Sequence, residues 1–336
     1  MKEYTVGPAD AGQRLDKYLR KILKEADSGF LYRMLRKKNI TLNGKKAEGG
    51  EKLSAGDTVL FFLSDETFEK FRGEAKETVP SLAWPASLSI VYEDDCFLFV
   101  NKPAGMLSQK RLPEDISLCE YIDSYLAGKG VSGPVGTVNR LDRNTSGLTL
   151  TGKTVAARQL LSRLLKEREL EKYYLAVAAG KAVRPERLVQ YWVKDEKTNQ
   201  VSLSDRELPG SSRVELAYRP EESLGDYTLL KIRLISGKSH QIRAQLASRG
   251  LPVLGDAKYG DQAVNRRFEA ETGHPLRHQL LHAYEAVFPA EFRLEEGLSP
   301  EAAQAFVSIA GKRFTAPLPP NFRQCVRLLG GEYHGR

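Results

Sequence analysis

The nine residues Asn139-Arg140-Leu141-Asp142-Arg143-Asn144-Thr145-Ser146-Gly147 are the most informative stretch of the chain. An aspartate stands between two arginines and is followed by small polar residues and a glycine, which predicts a tight polar loop. Nearby guanidinium groups favour the ionised carboxylate that a nucleophile or general base requires. The same pattern is equally typical of a structural Asp–Arg pair that fixes a loop. These residues alone therefore leave a catalytic and a structural role for Asp142 open.

Strands and helices both surround this loop. The strands predicted from composition and length are Ile90–Tyr92, Phe97–Val100, Leu148–Thr151, Tyr173–Ala179 and Leu229–Ile235. Ser117 and Glu120 match a capping box, which predicts that a helix begins there. Two further helices are predicted over Ala156–Lys166 and His240–Ser248. Because the elements mix without strict strand–helix alternation, we expect an α+β domain rather than a doubly wound sheet.

The positive charge of the chain is concentrated near its N-terminus. The chain has 51 Lys and Arg residues and 43 Asp and Glu residues. Between Arg14 and Lys46 there are 11 basic and 3 acidic residues, so the rest of the chain holds 40 of each. Such a patch is typical of a surface that binds a polyanion, because each phosphate contact releases counterions. A solvated helix face without a ligand is the alternative.

This basic segment also predicts a small folded unit. Apolar residues at helical spacing predict one helix from Leu15, and Ser28 is placed to cap a second. Alternating residues from Ile40 lead into a tight turn at Asn43-Gly44, and the apolar strand Val59–Leu63 follows. An ordinary helix–helix–hairpin unit is one interpretation of this pattern.

Several classes of protein are disfavoured by length and composition. A length of 336 residues predicts two domains, and the polar residues from 64 to about 84 predict a linker between them. No apolar run approaches the ~20 residues of a membrane span, and Met1–Tyr4 lacks the start of a signal peptide. The three cysteines, Cys96, Cys119 and Cys325, include no CxxC motif. We therefore expect reduced thiols in a cytoplasmic protein.

The Asp142 loop resembles the signature loop of the RluA-type pseudouridine synthases. Other segments, in the same order along the chain, are similar to segments of that family. They are Asn101–Gly105, Lys172–Ala176, Ser236–Arg243, Gly255–Gly260 and Leu281–Ala283. The resemblance implies the pseudouridine synthase fold, which is α+β with a mixed, mainly antiparallel sheet.

The N-terminal unit resembles an S4 RNA-binding domain. The segments that carry this likeness are Arg14–Asp16, Leu42–Gly44 and Gly56-Asp57 before a strand. We therefore expect an S4-like domain with the start of a linker over residues 1–76 and a catalytic domain over residues 77–336. The RNA-binding residues expected in the first domain are Arg14, Lys17, Arg33, Arg36, Lys37, Lys38 and Lys45.

The family resemblance also implies roles for six residues of the second domain. The catalytic ones are Asp142, Tyr174 and Arg243, and the substrate-binding ones are Arg140, Ile242 and Lys102. Asp142 is the expected essential carboxylate, and Arg243 its orienting partner. Tyr174 is expected to stack on uracil and to be a candidate base for a ribose proton, with Ile242 beside the target base. Arg140 is expected to replace the extruded uridine in the RNA stack, because a stacked base is inaccessible.

The reaction of this family breaks the N1–C1′ bond of uridine, rotates the uracil and joins C5 to C1′. Nothing is oxidised, hydrolysed or transferred between molecules, so the resemblance implies no cofactor and no metal. The implied partner is RNA, with ribosomal RNA ahead of transfer RNA, and neither DNA nor a membrane. The chain is expected to act as a monomer.

Two functions of other classes remain open from the sequence. A non-catalytic RNA-binding or ribosome-assembly protein would share the basic segment, although the joint presence of Asp142, Tyr174 and Arg243 argues against it. An N-glycosidase would share the carboxylate chemistry but would release free uracil.

Three local features qualify the resemblance. Asn139 stands where many family members have His, so we expect altered hydrogen bonding in the loop. Lys238-Ser239 replaces the commoner Arg-Thr and keeps a cation and a hydroxyl before a helix. His274, His278 and His282 are four residues apart, but Pro275 lies between the first two and no acidic or Cys ligand accompanies them, so a polar or structural role is expected rather than a metal site.

Overall fold

The computed structural model of the chain describes residues 1–7, 10–72, 81–131, 135–195, 200–291 and 300–333. Within these ranges the elements form two groups, each with its own sheet. The first group consists of β1 (Lys2–Thr5), α1 (Leu15–Ile22), α2 (Ser28–Arg36), β2 (Ile40–Leu42), β3 (Lys45–Lys46), β4 (Thr58–Phe61) and α3 (Asp65–Arg72). Within the described residues of the whole chain, no helix is long and apolar enough to span a membrane.

The N-terminal group is a four-stranded antiparallel sheet, with strand order β1-β4-β2-β3, packed against its helices. Leu15, Leu19, Leu31 and Leu35 project from α1 and α2 into a core that also contains Phe61 of β4. The predicted turn at Asn43-Gly44 is confirmed, because both residues have positive φ, as a two-residue hairpin turn requires.

Two predictions for this group were wrong. Asp27 rather than Ser28 caps α2, because its carboxylate accepts a hydrogen bond from the backbone amide of Phe30. The helix α3 occupies residues 65–72, where we expected a linker, since Phe68 on this helix is buried against the ring of Phe61. Residues 73–80 of the predicted linker, with the expected domain boundary at 76 and 77, lie outside the described residues.

The second group carries the larger sheet. It consists of β5 (Ser89–Glu93), β6 (Phe97–Lys102), α4 (Leu118–Ala127), β7 (Ser146–Gly152), α5 (Val155–Lys166), β8 (Glu171–Ala179), β9 (Glu186–Asp195), β10 (Gln200–Ser204), β11 (Ser212–Leu224), β12 (Tyr227–Leu234), α6 (Gln241–Ser248), α7 (Gln262–Thr272), β13 (Leu281–Val287), α8 (Pro300–Val307), β14 (Arg313–Thr315) and α9 (Pro320–Leu328). The strand order is β10-β9-β11-β12-β8-β13-β7-β6-β5, and β14 pairs with β13.

This sheet confirms the expected fold class. Its described pairings are antiparallel except for the one between β13 and β7, so the domain is α+β with a mixed, mainly antiparallel sheet. Helices cover both faces because successive residues of a strand point to opposite sides. Along β8, Tyr174 and Ala176 pack in the cluster that contains Ile242 of α6. Leu175 and Val177 pack with Phe268 of α7 and with α9.

The predicted strands and helices around the Asp142 loop are confirmed within a few residues, including the capping box of Ser117 and Glu120 at the start of α4. The strands β9, β10, β11 and β13 were not predicted. The long strands β9 and β11 include several exposed or half-buried charged positions, so their sequence lacks the continuous apolar run by which a buried strand is recognised.

The parallel pair of β7 and β13 fixes where the Asp142 loop ends. Gly147 lies opposite Ala283 with φ of 117°, and a Cβ at this glycine would stand 2.2 Å from the Ala283 carbonyl oxygen. Beside it, the Nε2 of buried His282 donates to the Ala316 carbonyl, so its Nδ1 accepts a hydrogen bond from the Ser146 hydroxyl at 2.8 Å. Burial lowers the pKa of His282 to about 4, consistent with this neutral, structural role.

We expect Gly147→Ala to lower the free energy of unfolding by about 3 kcal/mol or more, because the new methyl group has to displace the backbone of β13. Gly225→Ala is the matched control: Gly225 also has positive φ, but nothing lies within 4 Å of the added Cβ. That change should cost only about 1 kcal/mol, the conformational penalty alone. Denaturant titration measures both values, and equal losses would contradict the close approach.

Candidate active site

A cavity of about 780 Å³ opens where the Asp142 loop, the start of β8, the end of β12 and the start of α6 meet. Its charged lining is almost entirely basic. The cations are Lys110, Arg111, Arg140, Arg143, Lys166, Arg168, Lys172, Arg213, Lys238 and Arg243. Among the described residues that line this cavity, Asp142 is the only carboxylate. Such a cavity fits a polyanion, and it places one acidic group where that polyanion would bind.

Asp142 is held by a buried arginine that is itself held by a second aspartate. The Nη1 of Arg243 donates to Asp142 Oδ2 at 2.9 Å. The other edge of the same guanidinium binds Asp256 through two parallel hydrogen bonds of 2.6 and 2.8 Å. The side chain of Asp256 is fully buried, that of Arg243 is 8% exposed and that of Asp142 is 25% exposed. The guanidinium therefore bridges an inner carboxylate and an outer one that solvent or a ligand can reach.

The charge states of the inner pair follow from these contacts. Burial by itself would raise the pKa of Asp256, but the hydrogen bonds and charge of Arg243 lower it below the ordinary value. The backbone amides of Lys258 and Tyr259 also donate to Asp256 Oδ1, at 2.8 and 3.0 Å. Burial would lower the pKa of Arg243, and its two aspartate partners raise it instead. The pair is therefore ionised, and it keeps one donor of Arg243 directed at Asp142.

The loop that carries Asp142 is fixed from both sides. The side-chain amide of Asn139 donates to the Leu148 carbonyl at 3.1 Å and accepts from the Leu150 amide at 2.7 Å, so it pairs with β7 as a strand would. On the other side the Ser108 hydroxyl donates to the Leu141 carbonyl and accepts from the amide of the same residue, at 2.8 and 3.0 Å. The side chain of Asn139, at the position where the family resemblance implies histidine in many members, thus joins the loop to β7.

Lys102 lies beneath this loop and not on the cavity wall. Its side chain is fully buried, and its Nζ donates to the backbone carbonyls of Pro103, Met106 and Arg143 at 2.9–3.1 Å. Burial lowers the pKa of Lys102 to about 7, while the charge of Asp142 acts in the opposite direction. This position does not agree with the expectation that Lys102 contacts substrate. Lys102 instead supports the backbone of the loop, because one of its three acceptors is the carbonyl of the residue after Asp142.

The other predicted site residues meet around the cavity. Tyr174 and Ile242 form apolar parts of its wall and are 7% and 5% exposed. Burial raises the pKa of Tyr174, and the charge of Asp142 adds to this effect, so the phenol is neutral. Arg140 also lines the cavity and is exposed to solvent. The structure thus brings Asp142, Tyr174, Arg243, Ile242 and Arg140 together around one space.

The turn before α6 determines the position of Arg243, which lies on the first turn of this helix. His240 precedes this helix in the left-handed conformation, with φ of 57°, and its Nδ1 lies 3.0 Å from the Tyr259 hydroxyl. The buried Gln241 side chain accepts hydrogen bonds from the Ser236 hydroxyl and the Lys238 amide, at 3.0 and 3.1 Å. These bonds close the turn between β12 and α6. The direction of the helix is therefore fixed two residues before Arg243.

Two features of the site were not predicted from the sequence. Asp256 was recognised only as part of a family segment, and no role was assigned to it. A buried aspartate that follows Gly255 in a loop is a weak signal, because loop aspartates usually cap turns or helices. The basic cavity was also missed, since its cations come from separate segments, none with a local excess like that of Arg14–Lys46.

The cations predicted to bind RNA in the N-terminal unit are all exposed. They are Arg14, Lys17, Arg33, Arg36, Lys37, Lys38 and Lys45. Arg14 forms an ion pair with Asp16 at 3.1 Å.

No group of three or more potential metal ligands comes together among the described residues. His282 instead has the structural hydrogen bond with Ser146 that was described above.

We expect Asp256→Asn to lower the free energy of unfolding by about 3 kcal/mol near neutral pH, because the buried guanidinium loses its charged partner. Because the pKa of Asp256 is lowered on folding, its contribution is complete above the ordinary value of 3.8 and is lost as the pH falls through the folded pKa. The difference between the wild type and the variant should therefore shrink in acid.

Asp261→Asn is the matched control, because this exposed side chain caps α7 and asparagine caps helices equally well. Urea titrations at several pH values measure both variants. A difference between wild type and Asp256→Asn that does not change with pH would contradict the assigned charge state.

Comparisons with known proteins identify the family to which the chain is related. A family model described as RNA pseudouridylate synthase matches residues 96–248. The ribosomal large subunit pseudouridine synthase C of Vibrio vulnificus (strain CMCP6) is 32% identical over 278 residues, which cover 81% of this chain and 84% of that relative. The protein of the same name from Escherichia coli (strain K12) is 30% identical over 286 residues, which cover 82% of this chain and 84% of that relative.

The fold also has a counterpart among solved structures. Human RNA Pseudouridylate Synthase Domain Containing 4 superposes with a TM-score of 0.56 at 19% sequence identity. The match covers 73% of this chain and 94% of that chain, and it supports the fold alone. The identity to the bacterial relatives over more than four-fifths of their length establishes the family: this chain belongs to the RNA pseudouridylate synthases.

Proposed function

We propose that this chain converts uridine to pseudouridine in large-subunit ribosomal RNA, with Asp142 as the catalytic carboxylate. One observation carries the role of Asp142: it is the only carboxylate among the described residues of a basic cavity, and buried Arg243 holds it. The bacterial relatives are named for the ribosomal large subunit, which supports ribosomal RNA ahead of transfer RNA as the substrate. On this proposal the chain acts where ribosomes are made, in the cytoplasm.

The proposed reaction needs the target nucleotide outside its helix. A stacked uridine shields its glycosidic bond, so the base has to be extruded into the cavity, and we propose that exposed Arg140 fills the gap it leaves. Inside, Tyr174 and Ile242 would contact the uracil ring from the apolar part of the wall. The N1–C1′ bond breaks and the C5–C1′ bond forms, while a proton leaves C5 and one is gained at N1. Nothing else enters the balance, so the product is an isomer.

In this proposal the role of each residue follows from how accessible its side chain is to a ligand. Asp142 is exposed enough to reach the ribose or the base, whereas Asp256 is fully buried and acts only through Arg243. Tyr174 is proposed as the stacking platform. Its raised pKa argues against the alternative in which its hydroxyl is the base for a ribose proton, because a neutral phenol is a weak base. All the residues that this proposal uses lie on this chain, and we propose that it acts as a monomer.

We further propose that residues 1–76 form an S4-like RNA-binding domain and residues 77–336 the catalytic domain. The N-terminal group has its own sheet and its own apolar core, which supports this division. Its exposed cations on and after α2 include Arg33, Arg36, Lys37 and Lys38. They would add phosphate contacts outside the cavity and so raise the affinity for structured RNA.

Asp142→Asn should abolish pseudouridine formation and leave RNA affinity within about a few-fold, because the amide keeps the shape of the side chain but loses the charge that the reaction requires. Pseudouridine mapping of a large-subunit ribosomal RNA transcript measures the product, and filter binding measures affinity. Asp226→Asn, an exposed aspartate away from the cavity, is the control and should be fully active. Turnover by Asp142→Asn would contradict the role of Asp142, and release of free uracil by the wild type would indicate a glycosidase instead.

Replacing Arg33, Arg36, Lys37 and Lys38 together by Gln should weaken RNA binding and flatten its salt dependence. Each lost phosphate contact reduces the slope of log K against log salt by about 0.7 to 0.9. The control replaces four exposed cations of the second group, Lys181, Arg219, Lys312 and Arg327, by Gln. If both quadruple variants gave the same slope, net charge rather than the N-terminal surface would govern binding.

A further inference from the structure

One wall of the cavity holds two cations that have no anionic partner. Arg168 follows the end of α5, and Lys172 lies near the start of β8. Neither forms a hydrogen bond or an ion pair through its side chain with any residue in the described part of the chain. By contrast, Arg213, which also lines the cavity, pairs with Glu215 at 2.9 Å. The charges of Arg168 and Lys172 are therefore not compensated by a carboxylate within the described part of the chain.

The environment of Lys172 is unfavourable for a lone ammonium group. The side chain is half-buried at the cavity wall, and both burial and the nearby charge of Arg168 lower its pKa. Its Nζ would lie 3.6 Å from a Cβ placed on Gly237, so the absent side chain of that glycine leaves space beside the ammonium. Two like charges next to an open space, with no anion between them, are stabilised when an anion enters that space.

The backbone of Arg168 gives an independent observation. The amides of Arg168 and Glu169 donate to the carbonyls of Leu165 and Leu164, which is the hydrogen-bond pattern that ends many helices. In this pattern the residue that Arg168 occupies adopts the left-handed conformation and is usually glycine. Arg168 has φ of 61°. Arg168 therefore occupies a position that favours glycine, and its side chain lines the cavity.

We propose that Arg168 and Lys172 form a phosphate-binding subsite for an RNA phosphodiester next to the target nucleotide. This inference rests on the proposed function, because it assigns the subsite to the RNA that places its uridine at Asp142. The planar guanidinium of Arg168 can bind two phosphate oxygens, and Lys172 adds a point charge from the inner wall. The subsite thus positions the backbone of the extruded nucleotide and takes no part in the chemical step.

The test uses the full chain with Arg168→Gly and Lys172→Met, and with Lys181→Met as the control beyond the far end of β8. Each of the first two variants should bind a large-subunit ribosomal RNA transcript about tenfold more weakly at low salt, the effect of one charge-assisted hydrogen bond. Arg168→Gly should also raise Tm, since glycine suits the left-handed position, and Lys172→Met should not lower it. A fall in Tm for both variants would show a structural role and overturn the proposal.

A charge-deletion cycle identifies the phosphate. Short RNAs that span a uridine mapped as modified by the wild type carry one neutral methylphosphonate at a time. At one position the methylphosphonate should weaken binding by the wild type about tenfold. The same methylphosphonate should hardly change the affinity of Lys172→Met, because that variant already lacks the contact with this phosphate. Equal losses in both proteins at every position would overturn the subsite. If the wild type formed no pseudouridine in any ribosomal RNA, the proposed function would fail. The binding of the transcript by Arg168→Gly and Lys172→Met at low salt would still decide whether the two cations contact RNA phosphate.

Discussion

The interaction on which the site depends is the guanidinium of Arg243 between two carboxylates. Asp256 binds one edge of this group inside the protein, and Asp142 receives the remaining donor at the cavity wall. A buried guanidinium requires at least one charged partner, and Asp256 supplies it without using Asp142. Asp142 is therefore oriented by a group that is already neutralised, so its carboxylate stays available for a ligand.

This arrangement explains why distant segments have to meet. Asp142 comes from the loop before β7, Arg243 from α6 and Asp256 from the loop after it, and the sheet holds these elements in fixed positions. The parallel contact of β7 with β13 sets the end of the loop, and the buried ammonium of Lys102 supports it from below. Much of the apolar core thus serves to hold a few polar atoms in place, as a preorganised site requires.

The sequence predicted the fold class, most of the elements near the site and five of the residues around the cavity. It failed for Lys102, because a motif identifies a residue but not the direction of its side chain. It missed the role of Asp256, since that role depends on a bidentate contact between loop and helix that no local pattern encodes. The basic cavity was missed for a similar reason: its cations are scattered along the chain, and only the tertiary fold collects them.

Asn139 stands where the family resemblance leads us to expect histidine in many members, and its contacts with β7 have a chemical consequence. A neutral imidazole has one donor and one acceptor on opposite ring nitrogens, and it loses the acceptor when it gains a proton. The carboxamide of Asn139 has its acceptor and its donor on two atoms bonded to the same carbon, and neither is lost by protonation near neutral pH. The attachment of the Asp142 loop to β7 is therefore independent of pH in this protein, whereas a histidine at position 139 would make the shape of the loop depend on the protonation state of its ring.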